Sequence, residues 1–244
     1  MDATANYLRI VLAYDIWDVA WTAQDSNFLR SINSSHPKLR VRLTPFTGAG
    51  RAGDVASKQF AFLFHSAYPA DKHADHIFIK LDDDIAFIDV PQFEAFIAAR
   101  ESDTESFLMS ANVINHDHEV DWNGQRALHL QFLANGTQML TERHGALEAR
   151  HGVEPISADH RISFNFAAYL GADLPHIAEE FANGIGADDE WRVCCVVPPR
   201  LRRGNAVDQR FTVVHYAFGG EVPEEFLASY MDLAEQSAGR TTPN

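Results

Sequence analysis

The sequence predicts an α/β fold, in which an open sheet is flanked by helices. Apolar, β-branched runs and amphipathic stretches alternate over roughly the first hundred residues in the order strand, helix, strand, helix. A glycine-rich loop and a run of acidic residues directly follow predicted strands. Since ligands of open α/β sheets bind beyond the carboxyl ends of the strands, we expect the functional site at that edge.

The individual elements are placed from apolar spacing and from helix start signals. Asp54 is a suitable N-cap, and Pro91 and Pro223 stand where helices begin. The first strand is expected to end at Asp15. The predicted strands cover residues 7–14, 39–43, 76–81, 107–114 and 211–218, and the predicted helices cover residues 54–68, 91–100 and 223–236.

Composition excludes some classes of protein. The 244 residues suffice for one large domain, and the net charge of −14 offers no basic face for nucleic acid. No stretch approaches the roughly 18 apolar residues of a membrane span, and the first residues lack the basic start of a secretion signal. Cys194 and Cys195 are expected to point to opposite sides of a strand as small buried hydrophobes. We therefore expect a reduced, cytoplasmic protein without a transmembrane segment.

Three adjacent carboxylates, Asp82, Asp83 and Asp84, follow the strand at 76–81. Their charges repel one another, so a cluster at a strand end favours a compensating cation. Oxygen ligands suit Mg²⁺ or Mn²⁺. In an extended chain Asp82 and Asp84 fall on the same side, where one metal, or a metal and a ribose, can be held. The alternative is an acidic turn that closes the strand.

Polar segments in the second half of the chain are further candidates. The loop 115–124, with Trp122, is either a sugar-binding surface or a solvated loop around one packed ring, and the region 159–161 is a candidate for the same contacts. A second acidic cluster occupies residues 188–190 after a glycine turn. The basic residues Arg200, Arg202 and Arg203 form either a solvated turn or a membrane-surface contact.

Together these segments resemble nucleotide-sugar glycosyltransferases of the GT-A fold, and most of all uncharacterised transferases associated with bacterial surface polysaccharides. The motifs that carry the resemblance are LAYD, GAGRAGDVASK, KLDDDI, GADDEW and VVHYAF, in the family's order, over residues 7–220. The resemblance implies a Rossmann-like open mixed sheet in a single domain, 1–244. Its nucleotide-binding half would cover about 7–100 and its acceptor and catalytic half about 101–220, with a C-terminal helix at about 223–237.

The resemblance also implies a metal site and a donor site. Asp82 and Asp84 would hold Mn²⁺ or Mg²⁺, and Asp82 and Asp83 would lie beside the donor. A late histidine, here His215, supplies a further ligand in many members, although a lone histidine in an apolar strand is equally a packed core residue. Strand-end residues Ala13, Tyr14 and Asp15 would border the uracil and ribose.

Charged residues complete the implied machinery. Arg51 and Lys58 would approach the donor. Asp189, or its neighbour Asp188, would be the catalytic base of an inverting transfer, taking the proton of the acceptor hydroxyl. The same residues would serve equally as an N-cap and acidic first turn of a helix.

The expected function is therefore metal-dependent transfer of a sugar from a nucleotide diphosphate donor, with UDP as the expected nucleotide, to a hydroxyl of a saccharide or lipid-linked acceptor. Two alternatives stand beside it. A catalytically degenerate domain would bind nucleotide or glycan or act as a scaffold. Phosphatase-like chemistry also begins with Asp-x-Asp at a strand end, but Ala86 stands where that class has Thr or Val.

Overall fold

The computed structural model describes residues 14–18, 23–33, 39–43, 66–82, 84–114, 152–158, 160–183, 189–216 and 224–238. The chain divides into two compact units, Met1–Ser57 and Lys58–Asn244. Both units contain strands and helices, so the protein is a mixed α/β protein, as the sequence predicts.

The first unit contains a parallel strand pair with a helix between the strands in sequence. Strand β1 (Tyr14–Asp18) pairs with β2 (Leu39–Leu43), and α1 (Ala23–Asn33) connects them. The bounds of β2 are those predicted. The prediction that the first strand ends at Asp15 was wrong, because the ladder continues through the apolar residues that follow it as far as Asp18. Residues 7–13 lie outside the described residues.

The second unit begins with an α/β succession that positions the acidic cluster. The strand before Asp82 and the helix at Pro91 are confirmed, and so is the strand predicted at 107–114. The predicted helix at 54–68 lies outside the described residues except for its last positions. The elements are α2 (Ala70–His73), β3 (Ile77–Leu81), β4 (Ile85–Ile88), α3 (Val90–Ser102), β5 (Ser106–Ile114), β6 (Val153–Ile156) and β7 (Phe166–Leu170).

The remaining elements are mainly helical until the last strand. The helix predicted at 223–236 is confirmed, and β8 begins well before the predicted residue 211. A 3₁₀ turn (Gly171–Asp173) leads into α4 (Leu174–Asn183), and α5 (Asp189–Trp191), a π-helical turn (Arg192–Val196) and α6 (Val197–Leu201) precede β8 (Gly204–His215) and α7 (Glu224–Ala238).

The expectation that Cys194 and Cys195 lie on a strand was wrong. Both belong to the π-helical turn, and both are buried in one hydrophobic cluster instead of facing opposite sides of a sheet. Both are free thiols, as expected from their adjacency. An apolar run of this length is compatible with a buried helix as well as with a strand, so its pattern alone does not decide.

The six strands of the second unit form a mixed sheet in the order β3-β7-β5-β8-β4, and β6 pairs with the first part of β8. Strands β5 and β8 run parallel, whereas β3 with β7, β7 with β5, and β8 with β4 are antiparallel. The predicted mixed sheet is thus present.

The sheet brings its two outer strands together. Strands β3 and β4 stand at opposite ends of the strand order, yet only residues 82–84 join them. The path from Leu81 to Ile85 spans at most about 14 Å, whereas four interstrand spacings of a flat sheet amount to about 19 Å. The sheet must therefore curve, and the acidic segment lies where its outer strands converge.

Helices cover both faces of this sheet. On one face Phe96 of α3 stacks on Phe211 of β8 with ring centroids 4.6 Å apart, and Phe166 of β7 meets Phe211 at 5.2 Å. On the other face Tyr169 of β7 belongs to the cluster formed with α4 and the π-helical turn. Because side chains alternate along β7, Phe166 packs on the face covered by α3 and Tyr169 packs on the face covered by α4. No helix of the described residues is long and apolar enough to cross a membrane.

Candidate functional site

Two carboxylates and an imidazole meet where the outer strands converge. His215 Nε2 lies 2.9 Å from Asp84 Oδ1 and 3.9 Å from Asp82 Oδ2. One ligand atom from each of the three residues lies within 4.8 Å of the other two. Both carboxylates face the same imidazole, in agreement with the same-side placement expected from strand alternation. This cluster of Asp82, Asp84 and His215 is called the acidic triad below.

Backbone hydrogen bonds hold each member of the acidic triad at a strand end. Asp82 follows β3, and its N–H donates to the carbonyl of Asn165 at 2.9 Å. The carbonyl of Asp84 accepts the N–H of Tyr216 at 2.7 Å. His215 is the last residue of β8 and is the register partner of Ile85. The relative positions of the three residues are therefore set by backbone contacts at the strand ends.

The triad is partly shielded from water. The side chain of His215 is 12% exposed, against 28% for Asp82 and 38% for Asp84. Burial acts to raise the pKa of Asp84, but its hydrogen bond and electrostatic contact with His215 lower that pKa more, so it lies below its ordinary value. The Asp84 carboxylate is therefore held in its charged form.

Lys80 supplies a positive charge to the same site. Its ammonium is hydrogen-bonded to Asp82 Oδ1, and it lies 4.8 Å from the centroid of the Phe164 ring. The contact over the ring face is a cation–π arrangement, which keeps the ammonium beside the carboxylate. Lys80 therefore balances part of the carboxylate charge of the site.

Asn165 is a fourth polar side chain in this cluster. Its amide Nδ2 donates to Asp82 Oδ2 at 2.6 Å and lies 3.0 Å from His215 Nε2. Its Oδ1 accepts the hydroxyl of Ser163 at 2.8 Å. The amide is therefore fixed at one end by Ser163 and touches two members of the triad with the other.

The segment that carries Asn165 is attached to α5. Glu190 accepts the N–H of Phe164 at 2.9 Å through Oε1, and its Oε2 forms an ion pair with Arg161. The second acidic cluster therefore contributes a structural carboxylate, Glu190, to the support of the site.

The donor set of the acidic triad fits a divalent metal ion. Two carboxylate oxygens and one imidazole nitrogen, supported by Asp84 held in its charged form, are ligands that Mn²⁺ accepts. Imidazole is a more usual ligand of transition metals than of Mg²⁺, which is bound almost entirely through oxygen. The chemistry open to such a site is the stabilisation of negative charge on a bound ligand.

Comparison of the chain with protein-family models, with curated proteins and with solved structures gave no match. A proposal of function therefore rests on the geometry of the site and on the motifs of the sequence.

Several predicted site residues cannot be placed against the triad. Tyr14 and Asp15 belong to β1 of the first unit, and Asp189 begins α5, which is the position that the helix-start alternative gives it. The predicted residues that lie outside the described ones are Ala13, Arg51, Lys58, Asp83, Trp122 with the loop 115–124, Asp159 and Asp188. Their roles stay predictions.

Two residues of the basic patch, Arg200 and Arg203, form ion pairs within the second unit. Arg203 donates to Asp173 at 2.7 Å and to the carbonyl of Ser106, and Arg200 is paired with Glu180. Arg202 is exposed, with a φ of 56° just after α6. Two of the three arginines therefore hold the strand β5 and the helix α4 in place.

Sequence reasoning missed Lys80 and Asn165. A signal existed for Lys80, because it alternates with Asp82 and Asp84 and so shares their side of the extended chain. For Asn165 the signal is weaker: it is one amide inside the apolar run of Ile162 to Leu170, where a polar residue needs a partner.

Proposed function

We propose that this chain is a metal-dependent glycosyltransferase, which moves a sugar from a nucleotide diphosphate donor to a hydroxyl of a saccharide or lipid-linked acceptor. The observation that carries the proposal is the contact of His215 with Asp84 and Asp82. The resemblance in the sequence assigns these three residues to one metal ion, and their side chains lie within reach of one ion.

The residues of the site have distinct roles in this proposal. Asp82, Asp84 and His215 would hold the cation, with Mn²⁺ favoured by the imidazole. When bound, the cation would neutralise the charge that develops on the departing diphosphate. Lys80 lies beside Asp82 and adds a second positive charge at the same place. The donor is expected to be UDP-linked, as the resemblance implies.

The acceptor side of the reaction is assigned to α5. Asp189 would take the proton of the acceptor hydroxyl if the transfer inverts the anomeric centre, with Asp188 as the alternative base. Glu190 is already bound to Arg161 and to the backbone of Phe164, so it is a poor choice of base. We place the activity in the cytoplasm, in keeping with two free, buried cysteines.

Calorimetric titration tests the proposal directly. UDP, GDP and CDP are titrated with and without Mn²⁺ into wild type, Asp84→Ala and the exposed-surface control Asp75→Ala. The proposal expects one nucleotide to bind only with metal, equally in wild type and Asp75→Ala and not in Asp84→Ala. Mn²⁺-dependent hydrolysis of the matching nucleotide sugar then separates an enzyme from a binding module. Failure of every nucleotide to bind would refute the donor site.

A further inference from the structure

The two contacts of His215 Nε2 cannot both be hydrogen bonds. Asn165 Nδ2, a donor, lies 3.0 Å from this nitrogen, and Asp84 Oδ1, an acceptor, lies 2.9 Å from it. One ring nitrogen either donates or accepts, so it satisfies only one of these neighbours at a time. If it accepts from Asn165, two acceptors face each other at 2.9 Å. If it donates to Asp84, its proton faces the N–H of the amide.

A cation in the triad would make the approach of His215 to Asp84 favourable. It would also reverse the preferred orientation of the Asn165 amide. The lone pairs of His215 Nε2 and Asp84 Oδ1 would both point at the ion. The amide N–H of Asn165 would then approach a positive charge, which is unfavourable. A half-turn of the amide exchanges Nδ2 with Oδ1 and turns the carbonyl oxygen toward the same point. It gives up the hydrogen bond from Nδ2 to Asp82 Oδ2, an oxygen that would bind the ion instead.

We propose that Asn165 is the fourth protein ligand of the metal, through Oδ1 after this half-turn. The inference rests on the metal site of the proposed function and adds a ligand to it. Amide oxygens are ordinary ligands of hard divalent ions. The half-turn keeps a partner at the other end, because Nδ2 would then face Ser163 Oγ, which lies 2.8 Å from the present Oδ1 and can accept a hydrogen bond.

The spacing of the atoms suits a single ion. Bonds of about 2.0–2.3 Å in an octahedron put neighbouring ligand atoms about 3 Å apart and opposite ones about 4.2 Å apart. The amide position of Asn165 lies 2.6 Å from Asp82 Oδ2 and 3.0 Å from His215 Nε2. His215 Nε2 lies 2.9 Å from Asp84 and 3.9 Å from Asp82. These four distances match the spacings between neighbouring and opposite ligands of one ion.

Two substitutions separate an oxygen ligand from a hydrogen-bond donor. Asn165→Leu keeps the number and branching of the heavy atoms and removes both functions, whereas Asn165→Asp keeps an oxygen and removes the donor. Mn²⁺ is titrated into each protein, and the free ion is followed by its electron paramagnetic resonance signal. We expect Asn165→Leu to raise the Kd for Mn²⁺ at least about tenfold and Asn165→Asp to leave it unchanged or lower it.

The outcomes are distinct. An unchanged Kd in Asn165→Leu, or an equal rise in both variants, overturns the ligand role. Absence of Mn²⁺ binding to wild type refutes the metal site, and with it the proposed function. If Asn165→Leu does not fold, wild type labelled with ¹³C-asparagine supplies the answer: an electron–nuclear double resonance coupling between Mn²⁺ and an amide carbon, lost in Asn165→Asp, supports the ligand, and its absence from wild type overturns it.

Discussion

Glu190 accepts the backbone N–H of Phe164 at 2.9 Å, 26 positions away in the chain, and this bond joins α5 to the segment that ends in Asn165. The same carboxylate is paired with Arg161. One residue of the second acidic cluster therefore supports a residue that touches Asp82 and His215.

Removal of this support should cost stability. We expect Glu190→Ala to lower the free energy of unfolding by about 1–3 kcal/mol, because the N–H of Phe164 and the charge of Arg161 lose their partner in a partly buried place. Urea unfolding measures the change. Glu179→Ala is the matched control. The side chain of Glu179 is 57% exposed and paired with Arg200, and the loss of this ion pair should cost less than about 1 kcal/mol. Equal costs in both variants would contradict the supporting role.

Metal binding should appear in thermal stability as well as in titrations. A ligand that binds only the folded state at 100 times its Kd adds about 2.7 kcal/mol to the free energy of unfolding. We expect Mn²⁺ to raise the melting temperature of wild type and to leave that of Asp84→Asn and His215→Gln unchanged. Asp75→Asn, whose carboxylate is 93% exposed, should respond as wild type does. A similar rise in all four proteins would indicate nonspecific binding.

Asp103 should contribute to stability in a pH-dependent way. Its Oδ1 accepts the N–H groups of Glu105 and Ser106 at 3.0 and 2.9 Å. Burial acts to raise the pKa of Asp103, but these hydrogen bonds and the charge of Arg100 lower it more, to below its ordinary value of 3.8.

The sign of the effect follows from that direction. The unfolded chain binds a proton at Asp103 at a higher pH than the folded chain does, so this contribution is complete above the unfolded pKa and is lost as the pH falls through the folded pKa. We expect the difference in unfolding free energy between wild type and Asp103→Asn to shrink between about pH 5 and about pH 3. Urea titrations over this range measure it, and a constant difference would contradict the prediction.

The aromatic stack of the sheet should dominate core stability. Phe96 and Phe211 are fully buried with centroids 4.6 Å apart. We expect Phe96→Ala to lower the free energy of unfolding by about 3–5 kcal/mol, since it leaves a cavity between α3 and the sheet. Phe28, which is 62% exposed, provides the control. Phe28→Ala should change the free energy of unfolding by less than about 0.5 kcal/mol.

The sequence predicted those elements whose apolar residues are regularly placed, such as β2, where they alternate with arginine, and β5, where they are consecutive over much of the strand. It failed at the start of β8, because Asp208 and Arg210 make that part read as polar. In the fold Asp208 is fully buried and bonded to Arg210 at 2.9 Å, so two charged residues occupy strand positions as a pair. A pattern of single residues does not reveal such pairing.

The candidate site was predictable to the extent that its residues are adjacent in sequence. The spacing of Asp82 and Asp84 predicts their proximity, whereas His215 was predicted from the resemblance to a family. Asn165 reaches Asp82 through the antiparallel pairing of β3 with β7, and it reaches His215 where the outer strands converge; both are properties of the tertiary fold. No local pattern encodes that contact.

The three residues that meet at the converging outer strands are made at different times during synthesis of the chain. Asn165 lies 83 positions after Asp82 and 50 positions before His215. Asp82 and Asp84 are therefore synthesised long before His215. A nascent chain halted before β8 would carry repelling acids with no imidazole opposite them. Under the proposed function, the complete metal site would form only after β8 has been made and has paired, and fragments ending before β8 would lack one of its ligands.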